Sequence, residues 1–398
     1  MKKIKLNITK AIELPNPVKL ARYAKSPELG PRLLFFSGGT AIRELSKALI
    51  SHTHNSIHIM TPFDSGGSSA VLRKAFGMPA VGDVRNRIMA LADQSLTGNP
   101  EIYELFAYRL PKDKRRDELA RELDEMINGN HTLVQNIPDP MRKIVKNHLT
   151  RFKGYMPADF DLKGASIGNL VLTAGYLDNR RHLDPVIYIF SKLVEARGTV
   201  RPVVNADLQL VSVLEDGTRV AGQHLITGKE CSPIASPIKR IYLADEKDLD
   251  KPVVAGIREK MNKLITQAEL ICYPMGSFYS SIIANLLPAG VGGAVAANPC
   301  PKVFVPNTLP DCECYGMTVA DQIDKLLECL GQDAPDAEAD KLLNFVLLDV
   351  DTSRYQGGVD EQRIRDSGVE PVYCSLVSSA GDPLIDAGRL AEVLLSLP

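Results

Sequence analysis

The sequence lacks tryptophan entirely, and aromatic residues make up only 6% of its 398 positions. Proteins that bind single-stranded nucleic acid combine a basic groove with stacked aromatic rings, whereas this chain has a formal net charge of −1. A nucleic-acid partner is therefore not expected. The sequence also lacks an apolar run of membrane-spanning length and a signal-peptide core near its start, so it predicts no membrane partner and a cytoplasmic location.

Cysteine is scarce as well. Seven cysteines, an odd number spread over the chain, fit reduced thiols better than a disulfide framework. Cys312 and Cys314 stand close together in the segment DCEC, which raises the question of a metal site. Because the sequence has no second pair at zinc-finger spacing, we interpret both as reduced thiols.

Two stretches have the pattern of a strand, a turn and a helix. Residues 32–50 combine a short apolar run, a glycine turn and apolar positions at helical spacing, and residues 57–93 repeat this order with a longer polar turn. Such units place their strands in parallel. The sequence therefore predicts an α/β fold that is doubly wound around a mainly parallel sheet.

The remaining chain is divided by its composition. Residues 1–30 are an N-terminal extension with the polar character of a linker, and residues 31–398 form the predicted α/β domain. Within that domain, residues 100–152 are charge-rich and helical in pattern, which indicates a helical insertion. Alternation around Asp216 and Gly217 predicts a β-hairpin region.

Three turns in the predicted α/β domain share one design, in which an apolar strand is followed by small residues and then by a helix. Free N–H groups at a helix start favour anions, and ligands of open α/β sheets collect at the carboxyl ends of strands. The sequence therefore predicts a phosphate-bearing ligand held by these turns. The predicted binding residues are Gly38, Gly39 and Thr40; Ser65, Gly66, Gly67, Ser68 and Ser69; and Gly276 and Ser277.

Each of these turns has a simpler explanation. Ser, Thr and Gly at helix starts are ordinary caps, and only the presence of three such turns in one chain favours a ligand. Tyr279, just after the third turn, is either a core aromatic residue or a ring that stacks on a nucleotide base.

Carboxylates accompany the second turn and the helix after it. Asp64 and Asp83 suit the roles of a Mg²⁺ ligand and a general base, because phosphoryl-type transfer needs neutralised phosphates and a proton acceptor. We assign the metal position to Asp64, and capping remains the alternative for Asp83. Arg85, Asn86 and Asn169 are candidate contacts to phosphate or ribose.

Two common nucleotide motifs are incomplete. The first turn reads SGGTAI and departs from the G-x-G-x-x-G fingerprint of dinucleotide sites. The sequence also has no Walker motif, which disfavours ATP hydrolysis by a P-loop. An NAD(H)-dependent oxidoreductase is the weaker alternative, because no His and Arg couple for hydride transfer is evident.

The ordered set of motifs resembles one known superfamily. GGT at Gly38–Thr40, DSGGSS at Asp64–Ser69, GDVRN at Gly82–Asn86, SIGN at Ser166–Asn169 and the helix from Gly276 to Leu286 follow one another as in the 2-phospho-L-lactate transferase (CofD) superfamily. The DSGGSS and GDVRN motifs are closer to those of its gluconeogenesis-factor (YvcK) branch. The chain is also similar to the CofD-like proteins of GAK gene systems.

This resemblance implies a Rossmann-like fold with a nucleotide cleft, and it makes a homo-oligomer, such as a homodimer, plausible. CofD transfers a phospholactyl group from a guanosine-diphosphate-linked donor to a deazaflavin hydroxyl with Mg²⁺, whereas YvcK-type relatives resemble UDP-sugar binders with a regulatory role. The function expected here is binding of a nucleotide diphosphate-linked ligand. Two versions remain open: transfer to a hydroxyl acceptor, and regulation without catalysis.

Several positions depart from the family pattern. The second aspartate of the family motif is Ser65 in this chain, its closing glycine is Ala70, and a histidine before the SIGN motif is Ala165. The glycine after GGT is Ala41. The loss of a carboxylate and a histidine bears on metal-assisted transfer more than on ligand binding, which depends mainly on the backbone.

Overall fold

Two β-sheets organise the described part of the chain. The structure is a computed structural model, and it describes residues 11–95, 98–228, 233–379 and 381–398. Its strands are β1 (Leu33–Ser37), β2 (Ile57–Met60), β3 (Thr199–Pro202), β4 (Gln209–Leu214), β5 (Arg219–Ala221), β6 (Ile238–Asp245), β7 (Asp248–Pro252), β8 (Leu270–Tyr273), β9 (Lys302–Phe304), β10 (Phe345–Asp349) and β11 (Glu370–Cys374).

Helices cover both faces of the larger sheet. They are α1 (Pro17–Lys25), α2 (Arg43–Ile50), α3 (Gly67–Phe76), α4 (Gly82–Ala90), α5 (Pro100–Ala107), α6 (Arg116–Asn128), α7 (Thr132–Gln135), α8 (Met141–Tyr155), α9 (Ile167–Asp178), α10 (Leu183–Leu193), α11 (Gln223–Ile226), α12 (Glu259–Thr266), α13 (Ala284–Leu286), α14 (Val291–Ala297), α15 (Val319–Gly331), α16 (Glu361–Asp366) and α17 (Ala387–Ser396). Among the helices of the described ranges, none is long and apolar enough to cross a membrane.

The larger sheet has seven strands in the order β11-β10-β9-β8-β1-β2-β3, and every pairing within it is parallel. The chain moves from β1 through β2 to β3 on one side, and it later returns to β8 and moves outward on the other side. The direction of winding therefore reverses between β1 and β8. This confirms the predicted doubly wound, mainly parallel sheet and gives it the strand order of a Rossmann-like fold.

Strand β1 shows why the sheet is buried on both faces. Leu33 and Phe35 pack into one hydrophobic cluster with α2 and α17, while Leu34 and Phe36 pack into the cluster on the other face. All five residues of β1 are buried, as is typical of parallel strands covered by helices on both sides. The carboxyl ends of the central strands are thereby left as the free edge of the sheet.

The smaller sheet is antiparallel, with the order β5-β4-β6-β7. Its β4–β5 turn contains Gly217 at φ +87°, and Asp216 Oδ1 accepts a hydrogen bond of 2.8 Å from Thr218 N. The predicted hairpin is therefore confirmed. Strand β7 lacks the alternating apolar pattern that would predict a strand from the sequence, since four of its five residues are exposed.

Two terminal or inserted regions carry their own helices. Helices α5 to α8 occupy the region of the predicted insertion, and buried residues of these helices join one hydrophobic cluster with α9. In the extension before Pro31, helix α1 is capped by Asn16 and docks on α17, where Asn16 N donates a 2.8 Å hydrogen bond to Ser396 Oγ. Residues 11–30 are thus not a plain linker, because a capped helix packs against the domain.

Candidate functional site

A cleft of about 510 Å³ opens at the carboxyl ends of β1, β2 and β8, where the winding of the sheet reverses. Open α/β sheets bind ligands at this position. Thirteen of the residues predicted from the sequence line it: Gly38, Gly39, Thr40, Asp64, Gly66, Gly67, Ser68, Ser69, Asp83, Arg85, Asn86, Asn169 and Ser277.

The first turn is built around two glycines that leave no room for a side chain. A Cβ atom on Gly38 would overlap Ser281 Oγ, and one on Gly39 would overlap the carboxylate of Asp83. The side chains of Ser281 and Asp83 therefore lie directly against the backbone after β1. This close approach explains the glycine pair physically, and it places Asp83 over the first turn.

The second turn offers backbone donors. Asp64 Oδ1 accepts a 3.1 Å hydrogen bond from Gly66 N, which fixes the turn before α3. Helix α3 then begins at Gly67 without a side-chain cap from any described residue. Its first N–H groups and its helix dipole are therefore available to an anion in the cleft.

A buried arginine holds the second turn in place. Arg73 donates to Phe63 O at 3.2 Å and Asp64 O at 3.3 Å, and its other nitrogens reach Asp207 Oδ1 at 2.9 Å and Leu208 O at 2.8 Å. Burial raises the pKa of Asp207, and the charge of Arg73 acts in the opposite direction. The turn that carries Asp64 is thus anchored to the start of the smaller sheet.

Helix α4 presents Arg85 to the cleft. Its side chain is 6% exposed, and its Nε has no hydrogen-bond partner among the described residues. Burial and, after it, the charges of Arg109 and Arg43 lower the pKa of Arg85 to about 10. At neutral pH the guanidinium is nevertheless charged.

Two buried amides show a similar deficit. Asn169 Nδ2 donates to Ser68 Oγ at 3.2 Å and Gln223 Nε2 donates to Ser280 O at 3.2 Å, but their Oδ1 and Oε1 atoms have no partner in the described chain. Buried polar atoms are normally satisfied. Together with Arg85 Nε, these atoms are three unsatisfied groups on side chains that line one cleft, which indicates that a polar ligand or water completes them.

Further cations come from the helical insertion and from the segment that follows it. Arg109 and Lys112 lie between α5 and α6, while Lys163 lies just before α9, and all three line the cleft. Arg109 donates to Gly164 O at 3.1 Å and to Ser68 Oγ at 3.4 Å. These residues carry no recognisable motif, so sequence reasoning missed them and only their placement reveals them.

Ser65 lies beside the cleft and contacts another residue that the sequence did not single out. Its Oγ lies 2.7 Å from His224 Nδ1, and His224 N donates to the same Oγ at 3.4 Å. Gly222, at φ +110°, permits this contact because a Cβ there would lie 3.0 Å from Ser65 Oγ. Ser65, which stands where the family motif has its second aspartate, thus forms a pair with His224.

The third turn differs from the expectation. Phe278 N donates to Asp311 Oδ2 at 2.8 Å, and Tyr279 N and Ser280 N both donate to Glu313 Oε2 at 2.8 Å. The N–H groups at the start of the π-helix Phe278–Ile283 are therefore satisfied by carboxylates of the chain itself. Because those donors are occupied, backbone binding of an anion at this turn is not supported.

Two residues predicted near the third turn lie outside the cleft lining. Tyr279 is 3% exposed, and its hydroxyl lies 3.5 Å from Ile238 O and 3.6 Å from Met317 Sδ, which favours the core alternative over base stacking. Gly276 N donates to Asn307 Oδ1 at 2.9 Å. From this turn, Ser277 reaches the cleft, together with Ser281 one helical turn later.

The DCEC segment has a structural explanation. Its carboxylates, Asp311 and Glu313, cap the π-helix, while Cys312 and Cys314 are free thiols. Cys312 Sγ donates to Thr227 O at 3.1 Å, and burial raises the pKa of both thiols. The interpretation of both cysteines as reduced thiols stays a prediction, while the carboxylates explain the position of this segment beside the π-helix.

The donor set at the cleft bears on a metal. Within the described ranges, no group of three or more His, Cys, Asp or Glu side chains could hold a metal ion. Asp64 and Asp83 nevertheless both line the cleft, and Mg²⁺ is commonly bound by one or two carboxylates plus ligand phosphates. The residues therefore fit Mg²⁺ that enters together with a phosphate ligand.

The strand order, the reversal between β1 and β8 and the polar cleft above it define a Rossmann-like α/β protein. The family model described as 2-phospho-L-lactate transferase CofD matches residues 33–377. The chain therefore belongs to the CofD family.

Relatives within this family extend the comparison. The proteins named gluconeogenesis factor from Bacillus subtilis and Listeria monocytogenes are each 26% identical, over 92% and 93% of this chain and 98% and 96% of their own lengths. A Nostoc relative is 30% identical over 74% of this chain, which spans only 51% of that longer protein. The chain thus has both CofD-like and YvcK-like relationships.

Solved structures support the fold. The crystal structure of a UPF0052-family protein from Bacillus halodurans superposes with a TM-score of 0.65 at 24% identity, covering 92% of this chain and 99% of that one. At this level of identity the likeness concerns the fold alone.

Proposed function

We propose that this protein binds a nucleotide diphosphate-linked small molecule in the cleft at the β1–β8 reversal. The observation that carries this proposal is the set of buried, unsatisfied polar atoms on Arg85, Asn169 and Gln223. They line the same cleft as three further basic residues, Arg109, Lys112 and Lys163, and an uncapped helix start faces it. A ligand that combines phosphates with a sugar or nucleoside offers both the anionic charge and the hydroxyls that these groups need.

Each part of the cleft then has a role. The phosphates would lie against the first turn of α3, with Arg85 and Arg109 neutralising their charge. Asn169 and Gln223 would contact hydroxyl groups of the linked sugar or ribose through their unsatisfied carbonyl oxygens. The first turn, without a Cβ at Gly38 or Gly39, would allow the ligand to approach the backbone closely.

In the enzymatic version, Asp64 would hold Mg²⁺, which supplies neutralisation of the phosphate charge when bound. Asp83 would accept the proton of an acceptor hydroxyl as its oxygen attacks phosphorus, and a nucleoside monophosphate would leave with the electron pair of the broken P–O bond. The CofD family name supports this version, in which the protein is a transferase similar to 2-phospho-L-lactate transferase.

A regulatory version without catalysis is favoured by one specific observation. Ser65 contacts His224 at the position where the family motif has its second acid. With one carboxylate fewer, metal binding is weakened more than ligand binding. Relatives of this chain are named gluconeogenesis factor, which is not the name of a transferase. In this version the cleft would bind a UDP-sugar or a similar ligand, as the family resemblance implies.

Native mass spectrometry of the purified protein tests the shared part of both versions, because a retained nucleotide names the ligand class directly. Calorimetric titration with UDP-sugars and guanosine diphosphate should give saturable binding, and Arg109→Gln should weaken it about tenfold or more, as expected for a charge-assisted hydrogen bond. Arg116→Gln, in an exposed residue on α6 outside the cleft lining, is the matched control. Flat titrations across all nucleotide diphosphates would refute the proposal.

The two versions differ in turnover. With Mg²⁺, a nucleotide-linked donor and a hydroxyl acceptor, the enzymatic version requires release of nucleoside monophosphate, and Asp64→Asn should abolish release while leaving most of the binding. Saturable binding without product under these conditions favours the regulatory version. We also propose a cytoplasmic location, as the sequence predicts, and a homodimer, as the family resemblance implies. Light scattering of the full chain checks the homodimer.

A further inference from the structure

A second cavity lies apart from the candidate site and has a different character. It has a volume of about 320 Å³ and is formed where the loop before α10, the end of β3 and the start of α12 meet. Helix α9 separates it from the candidate site: Asn169 in the first turn of α9 lines the first cleft, and Asn179 just after its last turn lines this cavity. Asn169 and Asn179 are ten residues apart, so at a rise of about 1.5 Å per residue they lie about 15 Å apart along α9.

The wall of the second cavity is strongly cationic. Arg201, Arg258 and Lys260 line it, together with a single carboxylate, Asp184. Asp184 is shared, with Oδ2 at 3.1 Å from Lys260 Nζ and Oδ1 at 3.4 Å from Arg201 Nε. The Arg201 contact lacks hydrogen-bond geometry, so its buried Nε stays unsatisfied among the described residues.

Arg258 has even less compensation. The one hydrogen bond of its side chain to a described residue joins Nη1 to His182 Nδ1 at 3.1 Å, and no described carboxylate lies within ion-pair distance of its guanidinium. The cavity lining therefore carries two more positive than negative charges. A structural ion-pair network would balance its charges, whereas this one leaves a surplus that a dianion would neutralise.

The rest of the lining is apolar. Leu183, Val203, Val204 and Met261 are all buried and form part of the wall. A cavity of this size, near the lower end for small-molecule pockets, has room for a small organic group but not for a nucleotide in addition to its linked sugar. The lining thus combines an apolar surface with a dianion-sized excess of charge.

We propose that this cavity is a second ligand site, which takes a small phosphate monoester with its phosphate on Arg201, Arg258 and Lys260 and its apolar body against Val203, Val204 and Met261. The site is independent of the nucleotide proposal, because none of the residues that line it lines the first cleft.

Met261 supplies a local reporter. It lines the second cavity, whereas none of the described methionines lines the first cleft. Its ¹³C-methyl resonance in the full-length protein therefore distinguishes the two sites. Met261→Leu assigns the resonance. Phenyl phosphate is the probe, and benzyl alcohol is its uncharged counterpart with a similar ring.

We expect the Met261 resonance to shift saturably with phenyl phosphate but not with benzyl alcohol. Arg258→Gln, at an exposed side chain, should raise the midpoint at least about tenfold, as expected when a charge-assisted hydrogen bond is lost. Unchanged resonances of the other methionines would show that the variant is folded. Arg109→Gln, in the first cleft, should leave the Met261 titration unchanged.

Three results would overturn the proposal. The first is a Met261 resonance that does not move with millimolar phenyl phosphate. The second is an unchanged midpoint in folded Arg258→Gln, and the third is a titration that Arg109→Gln abolishes. Failure of nucleotide binding at the first cleft would not alter any of these readings.

Discussion

Replacement of Arg87 tests how the first turn is held at the candidate site. This arginine is fully buried and donates to Gly38 O at 2.9 Å, to Ile42 O at 2.8 Å and to Ser46 Oγ. It therefore ties α4 to the glycine turn after β1 and to the start of α2. Burial lowers the pKa of Arg87 to about 10, while Asp83 acts in the opposite direction, so the guanidinium stays charged at neutral pH.

The acceptors do not depend on Arg87 equally. Ile42 O also accepts from Ser46 N at 2.9 Å and from Ser46 Oγ at 2.7 Å, so it remains satisfied without the guanidinium. Gly38 O loses its bond to Arg87, and a buried carbonyl without a partner costs roughly 1–3 kcal/mol. Arg87→Met fills most of the space and leaves no uncompensated buried charge, so the main cost is the unpaired Gly38 O. We therefore expect the free energy of unfolding to fall by about 2 kcal/mol.

Arg87→Lys provides the contrasting variant. Lysine keeps the buried charge, but its single ammonium cannot follow the fork that reaches all three acceptors. A buried charge with incomplete compensation costs about 3–5 kcal/mol. The lysine variant should therefore be less stable than the methionine variant, although it is the more conservative change in charge.

Urea unfolding followed by circular dichroism measures these differences, with an unchanged slope as the condition for comparing midpoints. Nucleotide binding should weaken in both variants, because the turn that carries Gly38 and Gly39 is no longer anchored to α4. If Arg87→Met unfolds at the same urea concentration as the parent, or if Arg87→Lys is the more stable of the two, the hydrogen-bond explanation fails.

Three further changes test separate features. Burial, together with the charge of Asp311, raises the pKa of Glu313 from 4.5 to about 7. The protonated Glu313 therefore contributes fully to the free energy of unfolding below pH 4.5, and this contribution is lost as the pH rises to about 7. Glu313→Gln should remove this decline in urea midpoints, and an equally steep decline in the variant would contradict the prediction. Gly222→Ala should lower the free energy of unfolding by about 1–3 kcal/mol, because φ is +110° there, and a neutral effect would show that the backbone relaxes. Ser65→Asp should tighten Mn²⁺ binding in the presence of nucleotide at least about tenfold by restoring a second acid, which electron paramagnetic resonance measures; unchanged affinity would show that Ser65 lies outside the metal position.

The sequence predicted the framework of the fold because that framework is local. Apolar strands, glycine turns and helical spacing within residues 32–50 and 57–93 define βα units, and those units specify a parallel sheet. The same locality explains why all predicted residues of the first two turns except Ser65 line the cleft. Each turn follows directly from the strand that precedes it.

The rest of the site depends on contacts between distant parts of the chain. His224 lies 159 residues after Ser65, which it contacts. Glu313 lies 34 residues after Tyr279, from whose backbone N–H it accepts a hydrogen bond. Periodicity and turn chemistry contain no information about such pairs. The third turn therefore resembled an anion site in sequence, although carboxylates of the chain occupy its donors.

The origin of the charged groups suggests how ligand choice is set in this fold. The core βα turns contribute mostly backbone donors and hydroxyls, which suit any phosphate. The cations Arg109 and Lys112 come from the helical insertion, and His224 comes from the smaller sheet region. Changes in these peripheral elements alter charge and proton chemistry without disturbing the sheet. Under the proposed function, His224 contacts Ser65 beside the proposed metal position, while the backbone donors of the turns proposed to hold phosphate are unaffected.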